Sequence, residues 1–106
     1  MNIGQVDIIQ SISAAGSVQS TATVLIGTMN MVTTVSSGSG VILFVNATQG
    51  GYQVVYNGGA NTLKVYPPTS AQINGLAVNA AMILATNTSC AFWFTSSTQV
   101  VGQLSA

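Results

Sequence analysis

The segment NGGANTLKVYPP, residues 57–68, decides the fold class that this sequence predicts. Glycine and asparagine adopt the positive φ angles that tight hairpin turns require, so its first five residues predict a β-hairpin. In the following TLKVY, leucine and valine alternate with other residues, which is typical of a strand with two different faces. Proline cannot donate to a ladder, so the strand is expected to end at the pair that follows. We therefore expect Asn57, Gly58, Pro67 and Pro68 to hold the fold and to bind nothing.

Turn signals recur along the whole chain and separate short segments rich in valine, isoleucine and threonine. A second pair, Asn74 and Gly75, lies between Ile73 and Leu76 and predicts another tight turn. Lysine, arginine and glutamate, the usual residues of a helix surface, are almost missing. We therefore predict an all-β fold, a compact antiparallel β-sandwich or small barrel-like fold of roughly eight short strands. No internal repeat is convincing, so a solenoid is not expected.

The expected domain organisation is a single β domain over residues 21–106, preceded by an N-terminal segment over residues 1–20. The segment scatters isoleucine and valine among glutamine, serine and glycine. Two interpretations stay open for it, an edge strand and an extended arm. The small residues AAGS at 14–17 are typical of a hinge between such an arm and the body.

Charge is almost absent, because Asp7 and Lys64 are the only charged residues among 106 and there is no histidine. General acid–base catalysis needs a positioned group of tuned pKa, and glycosidases need two carboxylates. A serine–histidine or cysteine–histidine pair cannot be built without histidine. Cys90 is the single cysteine, which leaves no set of ligands for zinc. We therefore expect no enzyme, no catalytic residue, no metal site and no cofactor.

The same scarcity of charge limits the expected partners. Phosphate contacts require lysine and arginine, so we expect no nucleic acid partner. The longest apolar runs, at 41–45 and 80–85, fall far below the roughly 20 residues of a spanning helix, so no membrane partner is expected. Without catalytic groups, no small-molecule substrate is expected either. Net charge near zero favours association, so the chain is expected to assemble with itself.

The part of the chain between residues 41 and 98, about half of it, also resembles a module of the structural proteins of tailed bacteriophages. The resemblance rests on these pieces: the Asn-Gly turn at 57–58, NTLKVYPP at 61–68, INGL at 73–76, NA at 79–80, and TSCAF at 88–92 before an aromatic strand. Trp93 and the lack of acidic loop residues depart from the family pattern. The resemblance implies a virion structural protein, either a small head decoration or cement protein or a portion of a tail fibre.

Of these roles, the favoured hypothesis is a decoration or cement protein on the outer capsid surface. It implies a homo-oligomer, expected to be a trimer, that stabilises the shell by bridging subunits of the major capsid protein. Residues 1–20 would then reach to a neighbour. The alternative hypothesis is a tail-fibre or receptor-binding tip that binds a host surface glycan or protein. A fibre shaft and a separate attachment domain are not expected from this sequence, which favours decoration.

Two sets of residues are candidates for contacts in such an assembly. The first set is apolar and comes from the N-terminal segment, a methionine stripe and a segment that is apolar on both faces; an ordinary core is its other interpretation. These assembly-interface candidates are Ile3, Val6, Ile8, Met29, Met31, Val41 and Leu43. The second set consists of tyrosines on neighbouring predicted strands, which are candidates for contacts with a receptor: Tyr52, Tyr56 and Tyr66.

Overall fold

The computed structural model describes residues 7–44 and 48–105. This part of the chain is all-β, as predicted, and its only helical element is a 3-10 turn at Gln19–Thr21. The strands are β1 (Ile8–Ser13), β2 (Thr23–Val24), β3 (Met29–Thr34), β4 (Gly40–Ile42), β5 (Tyr52–Asn57), β6 (Leu63–Tyr66), β7 (Gln72–Ile73), β8 (Met82–Leu84), β9 (Thr88–Phe94) and β10 (Gln99–Leu104).

The strands form two mixed sheets. The larger sheet has the order β1-β3-β5-β9-β10-β7, and the smaller sheet has the order β2-β4-β6-β8. As far as β6 the chain alternates between the sheets, and each strand lies parallel to the next strand of its own sheet. Such stacked turns of chain suggest a short solenoid. The expectation of purely antiparallel pairing is therefore wrong for this half, and so is the argument against a solenoid.

The C-terminal part closes the stack with antiparallel strands. β8 lies antiparallel to β6, β9 to β5, and β10 to β9. The short β7 pairs in parallel with β10 at the far edge of the larger sheet. Among the strands of the described residues, the predicted antiparallel pairing thus begins with β8, after the chain has passed β6.

The predicted hairpin at Asn57 and Gly58 is wrong. β5 lies in the larger sheet and β6 in the smaller one, so the segment between them is a corner that joins two sheets. Neither residue has a positive φ. Instead, the buried Asn57 side chain accepts a hydrogen bond from the amide of Gly59 at 2.9 Å. It also donates to the carbonyls of Asn61 at 2.9 Å and Leu84 at 3.0 Å. The asparagine side chain, not a left-handed backbone, makes this corner.

Two other local predictions are confirmed, one of a turn and one of the end of a strand. Asn74 and Gly75 have φ angles of 53° and 87°, and the amide of Leu76 donates to the carbonyl of Ile73 at 2.8 Å. Positive φ at both central positions defines a type I′ turn. β6 also ends directly before the Pro67-Pro68 pair, where no amide is available to continue a ladder.

A single main core fills the space between the two sheets. Every residue of this core is at most 5% exposed. The larger sheet contributes, among others, Val32, Val55, Phe92 and Phe94, and the smaller sheet contributes Val41, Leu63, Val65 and Leu84. Within residues 7–44 and 48–105, every buried side-chain nitrogen and oxygen has a hydrogen-bond partner. The core therefore accommodates its polar groups without an unpaired one.

The N-terminal segment lies against the body wherever it is described. Residues 8–13 form the edge strand β1, and just after the segment Ala22 packs with Ile42 and Tyr66 on the far side of the smaller sheet. The Tyr66 hydroxyl donates to the Ser17 carbonyl at 3.3 Å, and the Gln19 amide donates to the Pro67 carbonyl at 2.8 Å. This part of the segment therefore covers the smaller sheet on the side away from the core.

Candidate functional site

The larger sheet has one face in the core and one face toward solvent, and we call the second the outer face. Side chains alternate along a strand, so the neighbours of the buried Val55 and Phe92 point outward. Strand pairing aligns these outward residues in rows across the sheet. The outer face consists of Ile8, Met29, Val54, Ala91 and Gln103 in one row, Tyr52, Trp93 and Val101 in a second, and Met31, Tyr56 and Ser89 in a third.

The outer face is apolar and aromatic, and none of its residues is charged. Ile8 is 48% exposed, Tyr52 42%, Trp93 38% and Val101 46%. At about 4.8 Å per strand, the longest row crosses about 19 Å of the sheet. Monomeric proteins rarely leave a contiguous apolar surface of this kind open, and such surfaces mark sites of interaction.

Two of the aromatic residues touch at one end of this face. Tyr52 on β5 lies opposite Trp93 on β9, with ring centroids 5.4 Å apart and planes inclined by 50°. That separation lies in the range of favourable aromatic pairs. At the other end, the Tyr56 hydroxyl donates to the side-chain oxygen of Asn87 at 3.3 Å. Val54 and Ala91, which have smaller side chains, lie in the row between these two ends.

The edges of the larger sheet are blunted, although no lysine guards them. β1 carries one extra residue relative to β3 between Ile9 and Ile12, and Ser11 in this bulge has a φ of 60°. At the opposite edge, the Asn74 side chain donates to the carbonyl of Gly102 at 3.0 Å and accepts from its amide at 2.8 Å. Bulges and covered edges prevent strands of other chains from adding.

The edges of the smaller sheet are short. β2 has 2 residues and β8 has 3, and short edge strands offer little to a strand from another molecule. In the described residues, the edges of both sheets are therefore poorly suited to pairing with a strand of another molecule, while the outer face is broad and open. Association of this chain with other molecules is accordingly expected to use a face.

The structure brings together candidates that the sequence placed in two different sets. Ile8, Met29 and Met31, proposed for assembly, share the outer face with Tyr52 and Tyr56, proposed for a receptor. One surface therefore contains members of both sets of candidates.

Other candidates lie elsewhere. Tyr66 lies in the smaller sheet and is 7% exposed, so it does not join the other tyrosines. Val41 and Leu43 are fully buried in the main core and have no surface to offer a partner. Ile3 and Val6 lie outside the described residues.

Several residues of the outer face were missed in the sequence. Val54, Ala91, Trp93 and Val101 belong to it, and each alternates along its strand with a buried neighbour. The alternation was visible around Trp93, which lies between two buried phenylalanines. The alternation was not visible at Val54, because residues 54 and 55 are both valine although only Val55 is buried.

The described residues contain no pocket and no group of three side chains suited to a metal ion. No helix in this part of the chain has the length and apolar character needed to span a membrane. No protein-family model, curated protein or solved structure matches the chain. The interpretation of the outer face therefore rests on its own chemistry.

Proposed function

We propose that this chain is a structural subunit that associates with other protein through its outer face. The observation that carries this proposal is a broad, uncharged, apolar and aromatic sheet face on a fold whose sheet edges are blunted. Covering such a face removes apolar surface from water and leaves no unpaired charge behind. Obligate interfaces have this composition, because they resemble a domain core cut in half.

Within this class, we propose a virion structural protein, a capsid decoration or cement protein on the outer capsid surface. It assembles as a homotrimer and stabilises the shell by bridging subunits of the major capsid protein. The support is the resemblance of residues 41–98 to structural proteins of tailed bacteriophages, together with the outer face. The finer fold that we propose is a sandwich of two facing sheets, with a solenoid-like path as far as β6 and an antiparallel closure after it.

The second candidate function is a tail-fibre or receptor-binding tip. The Tyr52–Trp93 pair favours it, because two touching and partly exposed rings can stack on the apolar face of a sugar. A ligand of this kind would be neutral, since the outer face has no charge to attract an ion. Electron microscopy of labelled virions separates the two functions, with label on the capsid shell for decoration and on the tail for receptor binding.

The association is tested by placing one carboxylate on the outer face. Val101 is 46% exposed on this face, and Val24 is 50% exposed on the smaller sheet, which makes Val24→Glu a matched control for Val101→Glu. Burying an unpaired carboxylate in an interface costs several kcal/mol. We therefore expect Val101→Glu to weaken self-association at least about tenfold, the effect of about 1.4 kcal/mol, while Val24→Glu leaves it unchanged.

The measurement is light scattering after size-exclusion chromatography over a range of micromolar concentrations, with circular dichroism to confirm that each variant is folded. The unmodified chain is expected to be an oligomer that both dilution and Val101→Glu dissociate. A stable monomer of the unmodified chain at high concentration would exclude self-association. Equal effects of the two substitutions would show that the outer face is not the interface.

A further inference from the structure

The chain contains two asparagine–glycine pairs, Asn57-Gly58 and Asn74-Gly75. Asparagine is most prone to lose its side-chain amide spontaneously when glycine follows it. The backbone nitrogen of the glycine attacks the asparagine side chain, and glycine has no side chain that would hinder this attack. The two pairs lie in opposite environments. Asn57 is fully buried between the sheets, whereas Asn74 lies exposed in a turn at the edge of the larger sheet.

Three hydrogen bonds hold the Asn57 side chain. Its partners are the amide of Gly59 and the carbonyls of Asn61 and Leu84, at 2.9 to 3.0 Å. These partners belong to the corner between the sheets and to β8, and Asn57 and Leu84 are both fully buried, so freeing the side chain requires the corner and this end of β8 to leave the interior. Such an opening approaches global unfolding, which costs about 5–15 kcal/mol in natural domains.

Asn74 is held by much less structure. Its side chain bonds only to Gly102, and the preceding strand β7 pairs with β10 through just Gln72 and Ile73. Freeing the Asn74 side chain breaks its two hydrogen bonds to Gly102 at the exposed edge, while the buried Ile73 stays in the main core and both sheets stay in place. Local openings of this kind lie at the low end of the free-energy range within a folded protein.

We propose that Asn74 is the site at which the folded protein deamidates. The Gly75 backbone nitrogen loses its proton and forms a bond to Cγ of Asn74, while the bond from Cγ to Nδ2 breaks and Nδ2 leaves as ammonia. Water then opens the resulting succinimide at either of its two carbon–nitrogen bonds, which yields aspartate or isoaspartate. The sum of the two steps consumes one water and releases one ammonia, and no oxidant or reductant takes part.

The modification changes the charge of the protein and one contact of the sheet edge. The net charge falls from zero to minus one, a large relative change for a chain with so few charges. The side chain also loses the N–H that donates to the carbonyl of Gly102. The new carboxylate lies next to the backbone of β10, at the edge of the larger sheet.

The test compares the folded protein with the same full-length chain unfolded in guanidinium chloride. Both samples are incubated at mildly alkaline pH, and peptide mass spectrometry follows conversion at residues 57 and 74 separately. In the folded protein we expect residue 74 to react at least about tenfold faster than residue 57, the ratio given by a difference of about 1.4 kcal/mol in opening free energy. In the unfolded chain the two rates are expected to agree within a factor of about two or three.

Isoelectric focusing provides an independent readout with a matched pair of variants. Asn74→Gln is expected to remove the acidic band that grows in the folded protein. Asn79→Gln, which changes another exposed asparagine of positive φ, is expected to leave that band unchanged. Equal rates at residues 57 and 74 in the folded protein would overturn the proposal. So would residue 74 staying intact when folded while it reacts in the unfolded chain.

Discussion

Replacing Asn57 tests the corner between the two sheets more directly than any other substitution. Its side chain is fully buried and makes three hydrogen bonds, to the amide of Gly59 and to the carbonyls of Asn61 and Leu84. Asn57→Ala removes all three bonds, and two of the partners belong to the buried residues Gly59 and Leu84. A buried polar group without a partner costs about 1–3 kcal/mol.

The structure shows which of these partners would be left without a bond. The carbonyl of Asn61 also accepts from the Thr86 hydroxyl at 3.4 Å, so it keeps one donor. The Gly59 amide and the Leu84 carbonyl lose the partner that Asn57 supplies. At about 1–3 kcal/mol for each, the expected loss of unfolding free energy is about 2–6 kcal/mol. This is a large part of the about 5–15 kcal/mol that holds a typical domain together.

Urea unfolding followed by tryptophan fluorescence measures this loss, since Trp93 is the only tryptophan. With a slope of about 2 kcal/mol per molar urea, in the middle of the usual range for small proteins, the midpoint should fall by about 1–3 M. Asn61→Ala is the control, because Asn61 is exposed and its side-chain amide donates one bond, to the Val35 carbonyl. It should cost about 1 kcal/mol or less. A loss below 1 kcal/mol for Asn57→Ala would refute the interpretation of the corner.

Two further predictions concern the interior. Gly59→Ala should lower the unfolding free energy by about 1–3 kcal/mol. The reason is that the new Cβ would lie 2.5 Å from a Val35 methyl group and 2.9 Å from the Val35 nitrogen. An unchanged urea midpoint would contradict this prediction. Burial raises the pKa of the Cys90 thiol from 9.0 to about 11. The folded state therefore binds this proton more tightly, so stability is lost as pH rises from 9 to 11, by at most about 3 kcal/mol. Cys90→Ala should remove this part of the pH dependence.

Local patterns predicted the fold class well but could not predict the pairing of the strands. The type I′ turn at Asn74 and the strand end before Pro67 follow from the conformations of single residues. After Asn57 the chain could return to the larger sheet or enter the smaller one. The choice depends on contacts with Leu84, which is 27 residues away. The hairpin prediction was wrong because Asn-Gly is compatible with both a left-handed turn and a side-chain-bonded corner.

The repeat of the stacked strands was also hidden in the sequence. The pairing of β2, β4 and β6 aligns TV at 23–24, VI at 41–42 and VY at 65–66. Their paired residues 23, 41 and 65 are separated by 18 and 24 residues, so no fixed period relates them. A search for a constant repeat length therefore misses this stack, although the apolar character of the segments is similar.

Hydropathy could not show which side of β3 faces outward, because polar and apolar residues exchange places in this strand. Asn30 is fully buried and donates to the carbonyls of Gly27 and Val54, while Met29 and Met31 lie on the outer face. A buried asparagine is stable where backbone groups of a corner need a partner. Sequence alone shows the alternation of two types of residue, but it does not show which of the two faces the core.

The scarcity of charge is explained differently inside and outside the molecule. Inside, neutral side-chain amides form hydrogen bonds with the backbone groups of the corners. Gln53 donates to the Gly27 carbonyl at 2.9 Å and accepts from the Phe44 amide at 2.7 Å. Neutral groups do this without the cost of burying a charge. Outside, lysines usually protect sheet edges, yet here a bulge at Ser11, short strands and the Asn74 side chain do so. Since the geometry of the edges disfavours unwanted edge pairing, charge is not needed there, and this agrees with our proposal that a partner covers the uncharged outer face.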